Sequence, residues 1–298
     1  MIAATPIGLA VKRAARHAPL VGLAAACLSI LLAASLLAPF ITPFDPYNLA
    51  SIDLAASLTP PQFSTHYLLG ADEQGRDVLS IILYGLRSSI LVGFGAILVA
   101  LSIGVPAGLV AGYRGGLWDQ VLMRLADIQL SLPSLIAALF LTGIFSAMLG
   151  SNLGYGLRAA ILISSIGLTM WPQFARTVRA STMEEKGKEY VQAARILRQR
   201  RSFILLNHIL PNITGPITVL ATLNLGQAII AEATLSFLGV GFPPTVPTLG
   251  TLVRIGGELA FGGIWWVTTF SCIALSLLVL CITVIGEFLQ RQTAPEGR

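Results

Sequence analysis

The stretch YVQAARILRQRRSFILLNHILP, Tyr190 to Pro211, lies between two apolar segments that are each long enough to cross a bilayer. It is the most basic part of the chain: eight of the 19 Lys and Arg fall between Arg176 and Arg201. Tyr190, Ala193, Ala194 and Leu197 recur at i, i+3, i+4 and i+7, the spacing of one helix face. After the RQRR run, Phe203, Leu206 and Leu210 predict a second short helix, stopped by Pro211 before the next apolar segment. The physical reading is a helix–turn–helix at the membrane surface, charged on one side. Such an excursion is built to touch something there.

The rest of the chain sets the class. Its 298 residues are 55% hydrophobic and only 11% charged, with a mean hydropathy of +0.79. Soluble domains carry roughly a quarter charged residues, so the composition predicts an all-α integral membrane protein. About 20 apolar residues are needed to cross the hydrocarbon as a helix. Six stretches qualify: Leu20–Thr42, Ile81–Gly112, Val121–Met148, Leu157–Val178, Ile213–Val240 and Phe261–Leu289. Pro133, Gly143, Gly150, Gly154 and Gly156 punctuate the third and fourth. Such breakers are tolerated where neighbouring helices satisfy the freed backbone groups. Gly93, Gly95, Gly104 and Gly108 suit helices whose backbones pack closely. The expected organisation is a tail at 1–19, a first span at 20–42, an external loop at 43–80 and a five-helix core at 81–290. That core contains the basic loop 181–212, and a second tail occupies 291–298. Lys12, Arg13 and Arg16 precede the first span as they would a signal peptide. Its apolar run exceeds the roughly 7–15 residues of such a segment, and Pro39 follows Ala38, so the helix is read as retained.

Orientation follows from the basic residues. With the N-terminus in the cytoplasm, 15 of the 19 Lys and Arg fall in inside segments, leaving Arg76, Arg87, Arg158 and Arg254 outside. Both termini and the loop 181–212 are then cytoplasmic. Topology accounts for the formal charge of +5, and nucleic acid is not required as a partner. Cys27, Cys272 and Cys281 all lie in apolar stretches and read as small buried hydrophobes.

The sequence carries no catalytic signature. There is no GxxxxGK[ST] loop to cradle phosphates, no HExxH and no GxSxG, and His17, His66 and His208 are scattered. No enzyme activity, cofactor or metal is therefore expected of the chain itself. Glu232, with Ser236 one turn later, is a candidate for a translocation path or for a carboxylate hydrogen-bonded to a neighbouring helix. Asp127 and Glu287 are expected to pair with nearby arginines. Asp72, Arg76 and Asp77 form a charged external cluster, either a contact for a partner or a turn satisfied within itself. A channel or secondary transporter would need more intramembrane charge than these spans offer. A membrane enzyme would need a convergent polar set that is absent.

The basic loop resembles the cytoplasmic loop of ABC-importer permeases, whose pattern is E-A-A, three residues, G, nine residues, then I-x-L-P. Gln192-Ala193-Ala194 stands at the first triplet, Arg198 at the glycine, and His208-Ile209-Leu210-Pro211 at the end. Gln192 replaces the signature Glu and Arg198 the signature Gly. Four further blocks resemble the dipeptide, oligopeptide and nickel subfamily, as its second, C-type permease subunit. They are HYLLGADEQGRDVLS with LYGLRSSILVG (His66 to Gly93), AGYRGGLWDQVLMRLADIQLSLPSL (Ala111 to Leu135), WPQFARTVRAST (Trp171 to Thr182) and AEATLSFLGVGFPPTVPTLG (Ala231 to Gly250).

The resemblance implies six helices of the type I ABC-importer permease fold in a bacterial plasma (inner) membrane. It implies as partners a homologous second permease, two ABC ATPase subunits that bind the ATP and Mg, and an extracytoplasmic solute-binding protein. It further implies that the loop meets the ATPase through Glu189, Tyr190, Gln192, Ala193, Ala194, Arg195, Leu197, Arg198, His208, Ile209, Leu210 and Pro211, the two alanines permitting close approach. The implied cargo is a di- or oligopeptide, with nickel, glutathione or another small solute as the alternative and an ATP-independent channel a distant one. A turn glycine supplies φ > 0 without steric cost. With Arg198 in its place, the turn is expected to use another backbone geometry.

Overall fold

The computed structural model describes residues 6–42, 53–62, 67–150 and 154–293. Apart from one isolated bridge between Ala71 and Asp77, the described residues form helices and connections. In chain order the helices are α1 (Pro6–Leu36), α2 (Ala38–Ile41), α3 (Val78–Arg114), α4 (Gly116–Leu130), α5 (Ser134–Leu149) and α6 (Tyr155–Lys186). They continue with α7 (Glu189–Ile196), α8 (Arg201–Phe203), α9 (Thr214–Phe237), α10 (Leu249–Ala260) and α11 (Trp266–Thr293). The tail expected at 1–19 is helical from Pro6 and runs through Pro19 into the first span. The C-terminal tail is helical to Thr293; its remainder, like most of the external loop at 43–66, lies outside the described residues.

Packing is organised by α3 and α6. Ala96, Ala100, Gly104, Gly108 and Gly112 fall every four residues and so form one ridge of α3. A Cβ on Gly104 would stand 2.7 Å from the carbonyl oxygen of Trp171, one on Gly108 2.6 Å from that of Ala175, and one on Gly112 2.8 Å from that of Arg179. On the facing helix, a Cβ on Gly167 would stand 2.7 Å from the carbonyl oxygen of Ala96. Hence the two backbones touch over four turns. In a bilayer there is no hydrophobic gain from joining two apolar helices, and close van der Waals contact between small residues takes its place. Against this seam sit buried Leu162, Ile166 and Phe174 from α6 and Ala228 and Leu235 from α9. A second cluster at the far end joins Val78, Ile81 and Leu86 of α3 to Ile229 of α9, Leu252 of α10 and Val267 of α11. Trp266 closes it by donating its indole N–H to the Ala71 carbonyl at 3.1 Å.

The spans differ from expectation in three places. Among the described residues, four helical runs are long and apolar enough to cross a membrane: Pro19–Leu36, Val78–Arg114, Arg201–Phe237 and Trp266–Gln292. The expected third span, Val121–Met148, is broken instead: α4 and α5 meet at 93° and together supply at most a fifth. The break falls at Pro133, whose ring excludes a continuing helix and whose presence pushes Leu132 out of the helical region. The expected fourth span is α6, which has 32 residues and runs on past Val178 to Lys186. It is not among the apolar runs, because Ser164, Ser165, Thr169, Gln173 and Arg176 interrupt it. Two of these, Ser165 and Thr169, are buried inside the bundle, where lipid does not reach them, and Arg176 is exposed and paired with Asp127.

The third difference is at Pro211, which does not stop a short second helix. The chain passes from α8 through a π-turn (Ile204–Ile209) and a 3₁₀ turn (Leu210–Ile213) straight into α9, so Arg201–Phe237 is one rod of 37 residues. A proline clashes with the carbonyl four residues back and removes a donor. Widening the turn before Pro211 absorbs both effects without ending the helix. Cys27, Cys272 and Cys281 are free thiols, partly or fully buried.

The seam makes a direct prediction. Gly108→Val in the purified chain should cost about 1–3 kcal/mol through overpacking against backbone, read as a lower melting temperature in detergent. Gly143→Ala, where a Cβ meets nothing within 4 Å, should leave it unchanged or raise it. Equal losses at both positions would refute the α3–α6 contact.

Candidate coupling site

The loop that follows α6 is held by one buried carboxylate. Glu185, on the last turn of α6, receives a hydrogen bond from the Tyr190 hydroxyl and an ion pair from Lys188. Burial pushes the Glu185 carboxyl up, but the Lys188 and Tyr190 hydrogen bonds outweigh it and hold the group below its ordinary range. The same contacts act on the phenol: burial, then the bond to Glu185, push Tyr190 up to about 12. Tyr190 therefore stays neutral and keeps donating at any physiological pH. Its oxygen accepts a hydrogen bond from Asn212 Nδ2 at 3.2 Å, and that amide also donates to the His208 carbonyl at 2.6 Å. In this way Tyr190 ties the start of α7 to the base of α9. His208 Nε2 lies 3.1 Å from Gln199 Oε1, which ties the turn to the same point.

Helix α7 packs by a face one residue away from the expected one. Val191 and Ala194 are buried against Leu109, Tyr113 and Val178, together with Ile204, Ile209 and Ile213. Of the predicted stripe, only Ala194 faces inward. Tyr190 is 38% exposed, Ala193 is exposed and Leu197 is 73% exposed. Ala194 thus serves the chain's own core and is not free to approach a partner. Of the second stripe, only Leu210 packs against the core. Phe203 and Leu206 are exposed, while Ile204 and Ile209 fill the interior. With Ile196 at 82%, the loop presents four large apolar side chains to its surroundings. The inward residues Val191 and Ile204 went unread in the sequence, and Ile209, expected to meet the ATPase, is instead fully buried in the chain's own core.

Both departures from the loop pattern acquire a local explanation. The Gln192 Nε2 donates to the carbonyl of Gly187 at 2.9 Å; a carboxylate has no proton to offer there. Arg198 ends α7 in the left-handed region, with φ 53°. Its N–H donates to the Arg195 carbonyl at 2.9 Å, and the Gln199 N–H donates to that of Ala194 at 3.2 Å. This pair of bonds is a Schellman cap, whose left-handed position ordinarily takes glycine. The expectation of a different turn geometry is therefore corrected: the chain keeps the glycine conformation and places an arginine in it. The strain is of order 1 kcal/mol.

The remaining candidates are buried. Glu232 and Ser236 are fully inaccessible; the Ser89 hydroxyl of α3 donates to one Glu232 oxygen at 2.7 Å and the Ser236 hydroxyl to the other at 2.8 Å. A Cβ on Gly250 would meet the Ala233 carbonyl at 2.2 Å, so α9 and α10 are in backbone contact beside this carboxylate. Asp72, Arg76 and Asp77 are also buried. Asp72 and Arg76 form an ion pair at 2.7 Å, Asp72 accepts from the Gln74 and Arg76 N–H groups, and Asp77 caps α3 through Ser80. They make a buried turn, in which only Asp77 Oδ1 lacks a hydrogen-bond partner, and offer no charged surface for a partner. Asp127 pairs with Arg176 and Glu287 with Arg291, as expected, while Asp119 pairs with Arg179. The three predicted sites stay separate: the loop lies at one end of the bundle, and Glu232 and the Asp72 turn near the other.

Residues 104–296 match the family described as binding-protein-dependent transport system inner membrane component. The dipeptide transport system permease protein DppC of Haemophilus influenzae is 35% identical, over 88% of this chain and 85% of its own length. The di/tripeptide permease DppC of Pseudomonas aeruginosa is 34% identical over 88% and 83%. The oligopeptide permease OppC of Mycobacterium tuberculosis is 31% identical over 97% and 94%. Among solved structures, an inward-facing form of the MetNI methionine ABC transporter matches 70% of this chain and 93% of its own with a TM-score of 0.56 at 20% identity, a likeness of fold. The chain belongs to the family of binding-protein-dependent transport system inner membrane components.

Proposed function

We propose that this chain is one permease subunit of an ATP-driven importer that carries di- or oligopeptides across a bacterial inner membrane. It pairs with a homologous permease, and two ATPase subunits dock on the loop 181–212. A solute-binding protein delivers cargo from the opposite side. The observation that carries this reading is the surface of the loop. Ile196, Leu197, Phe203 and Leu206 are exposed beside a run of arginines, at the end of the bundle where the two longest packed helices converge. Four apolar side chains rimmed by cations suit a protein cleft, with burial supplying affinity and the charges supplying register. The relatives named as peptide permeases favour peptide as cargo.

Topology fits the same assembly. Six spans follow if α6 is counted as an interior span and the bent α4–α5 pair as one. The distribution of Lys and Arg, 15 against four, puts the loop and both termini in the cytoplasm. Glu232 then lies towards the outer side, as a packing group joining α3 to α9 through Ser89 and Ser236.

Reconstitution tests the proposal. The full complex in proteoliposomes should accumulate labelled dipeptide only with ATP inside and binding protein outside, and mass analysis of the co-purified binding protein should find peptide in it. Uptake by this chain alone without ATP, or a binding protein loaded with nickel or glutathione, would sink the corresponding half. Leu197→Asp, at an exposed position, should leave the fold intact but lower ATPase co-purification by tenfold or more, roughly the loss of one well-buried apolar contact. Arg198→Gly should relieve about 1 kcal/mol and raise the melting temperature by roughly 2–4 °C. No change would mean that the turn is not strained.

A further inference from the structure

On the side of the loop 181–212 away from its exposed apolar residues lies a cleft of about 720 Å³, between the α3–α4 junction, the end of α6 and the turn after α7, to which the loop itself contributes Lys186, Arg195 and Arg201. Four cations line it: Arg114, Lys186, Arg195 and Arg201. No carboxylate lines it, and among the described residues none of the four makes an ion pair. Two acids on the same elements are engaged elsewhere, Glu185 by Lys188 and Tyr190, and Asp119 by Arg179. Instead, the cations are oriented by aromatic rings. The Arg195 guanidinium lies 4.9 Å and the Lys186 ammonium 5.8 Å from the centre of Tyr113, and Arg114 lies 5.5 Å from the centre of Trp118. Lys186 is further fixed by donating to the Tyr113 carbonyl at 2.7 Å.

Two more features point to one kind of ligand. Gly115, which also lines the cleft, is the N-cap of α4 and brings no side chain to its free N–H groups. The start of that helix therefore adds its own partial positive charge. From the cleft, α4 carries away an exposed apolar stripe, Leu117, Val121, Leu125 and Ile128, at helical spacing. A head group with a phosphate would meet the four cations, and acyl chains would lie along the stripe. Trp118, between the two, is the ring type that settles at the membrane interface.

We propose that this cleft is a site for an anionic glycerophospholipid, bound through its phosphate by Arg114, Lys186, Arg195 and Arg201 with its chains along α4. The site goes beyond the transport reading; only the leaflet, the cytoplasmic one, rests on it. Basic pockets between membrane helices bind such head groups in the same manner. The bound lipid would neutralise a like-charged cluster directly behind the loop and brace α4 against it.

The test uses the full chain in nanodiscs of phosphatidylcholine doped with phosphatidylglycerol, with retained lipid measured by native mass spectrometry. The wild-type chain should retain one phosphatidylglycerol in preference to phosphatidylcholine. The Arg114→Gln, Arg201→Gln pair should lower that preference by about tenfold or more, since each cation near the surface contributes to head-group binding. The charge-preserving Arg114→Lys, Arg201→Lys pair should keep most of it, which separates lost binding from lost folding. Arg291→Gln, at the opposite end of the sequence on α11, should leave it unchanged. Equal loss in Arg291→Gln would show unspecific attraction to charge and overturn the site. Inorganic phosphate that displaces the lipid at micromolar concentration would assign the cleft to a free anion and overturn the lipid. Retention that vanishes when the ATPase subunits bind would assign it to a protein carboxylate and overturn it too.

Discussion

Everything in this structure hangs on the contact between the backbones of α3 and α6. Glycine at every fourth position of α3 lets the carbonyls of Trp171, Ala175 and Arg179 come within van der Waals reach of its main chain. That closeness has a consequence for composition. A helix held this way buries part of its surface against its neighbours, so α6 can carry Ser165 and Thr169 inside the bundle. It also projects, its 32 residues spanning about 48 Å against a hydrocarbon layer of about 30 Å. The excess places Glu185 clear of the core, where it can organise the loop.

The loop inherits its order from that one carboxylate and from a cap. Glu185 fixes Tyr190, Tyr190 fixes Asn212, and Asn212 fixes the carbonyl of His208. The Schellman cap at Arg198 then reverses the chain between the two helices. Strain at such a position persists only where the surroundings over-determine it. Here the two capping hydrogen bonds, the buried Val191 and Ala194, and the contact between His208 and Gln199 do so. The opposite end is ordered by different chemistry. A carboxylate satisfied by hydroxyls from α3 and α9 does there what an ion pair does near the loop.

Much of this was legible in the sequence, and the failures have physical causes. Length and apolarity located α1, α3, α9 and α11, because a helix that faces lipid over its length must be apolar. They overstated the third span, since a window of hydropathy does not register the turn that Pro133 forces. They also took Pro211 for a stop, where a π-turn absorbs it. The phase of α7 was misread because Tyr190 and Leu197 look like core residues, while the two that are buried, Val191 and Ala194, are smaller. A short helix that is wet on one side and docks a partner on another does not announce which apolar stripe is its own. The external acids show the same ambiguity: sequence cannot tell a charged surface from a turn that has consumed its charges.

The continuity of Arg201–Phe237 has a mechanical consequence. A helical run of 37 residues without a break is about 55 Å long. One end carries the exposed Phe203 and Leu206, and the other carries Glu232, gripped by Ser89 and Ser236. Such a rod does not dissipate a displacement along its length; it converts a tilt at one face of the membrane into a larger sweep at the other. Pro211 sits in the 3₁₀ turn that follows the widened one, and the helix continues through both without a break.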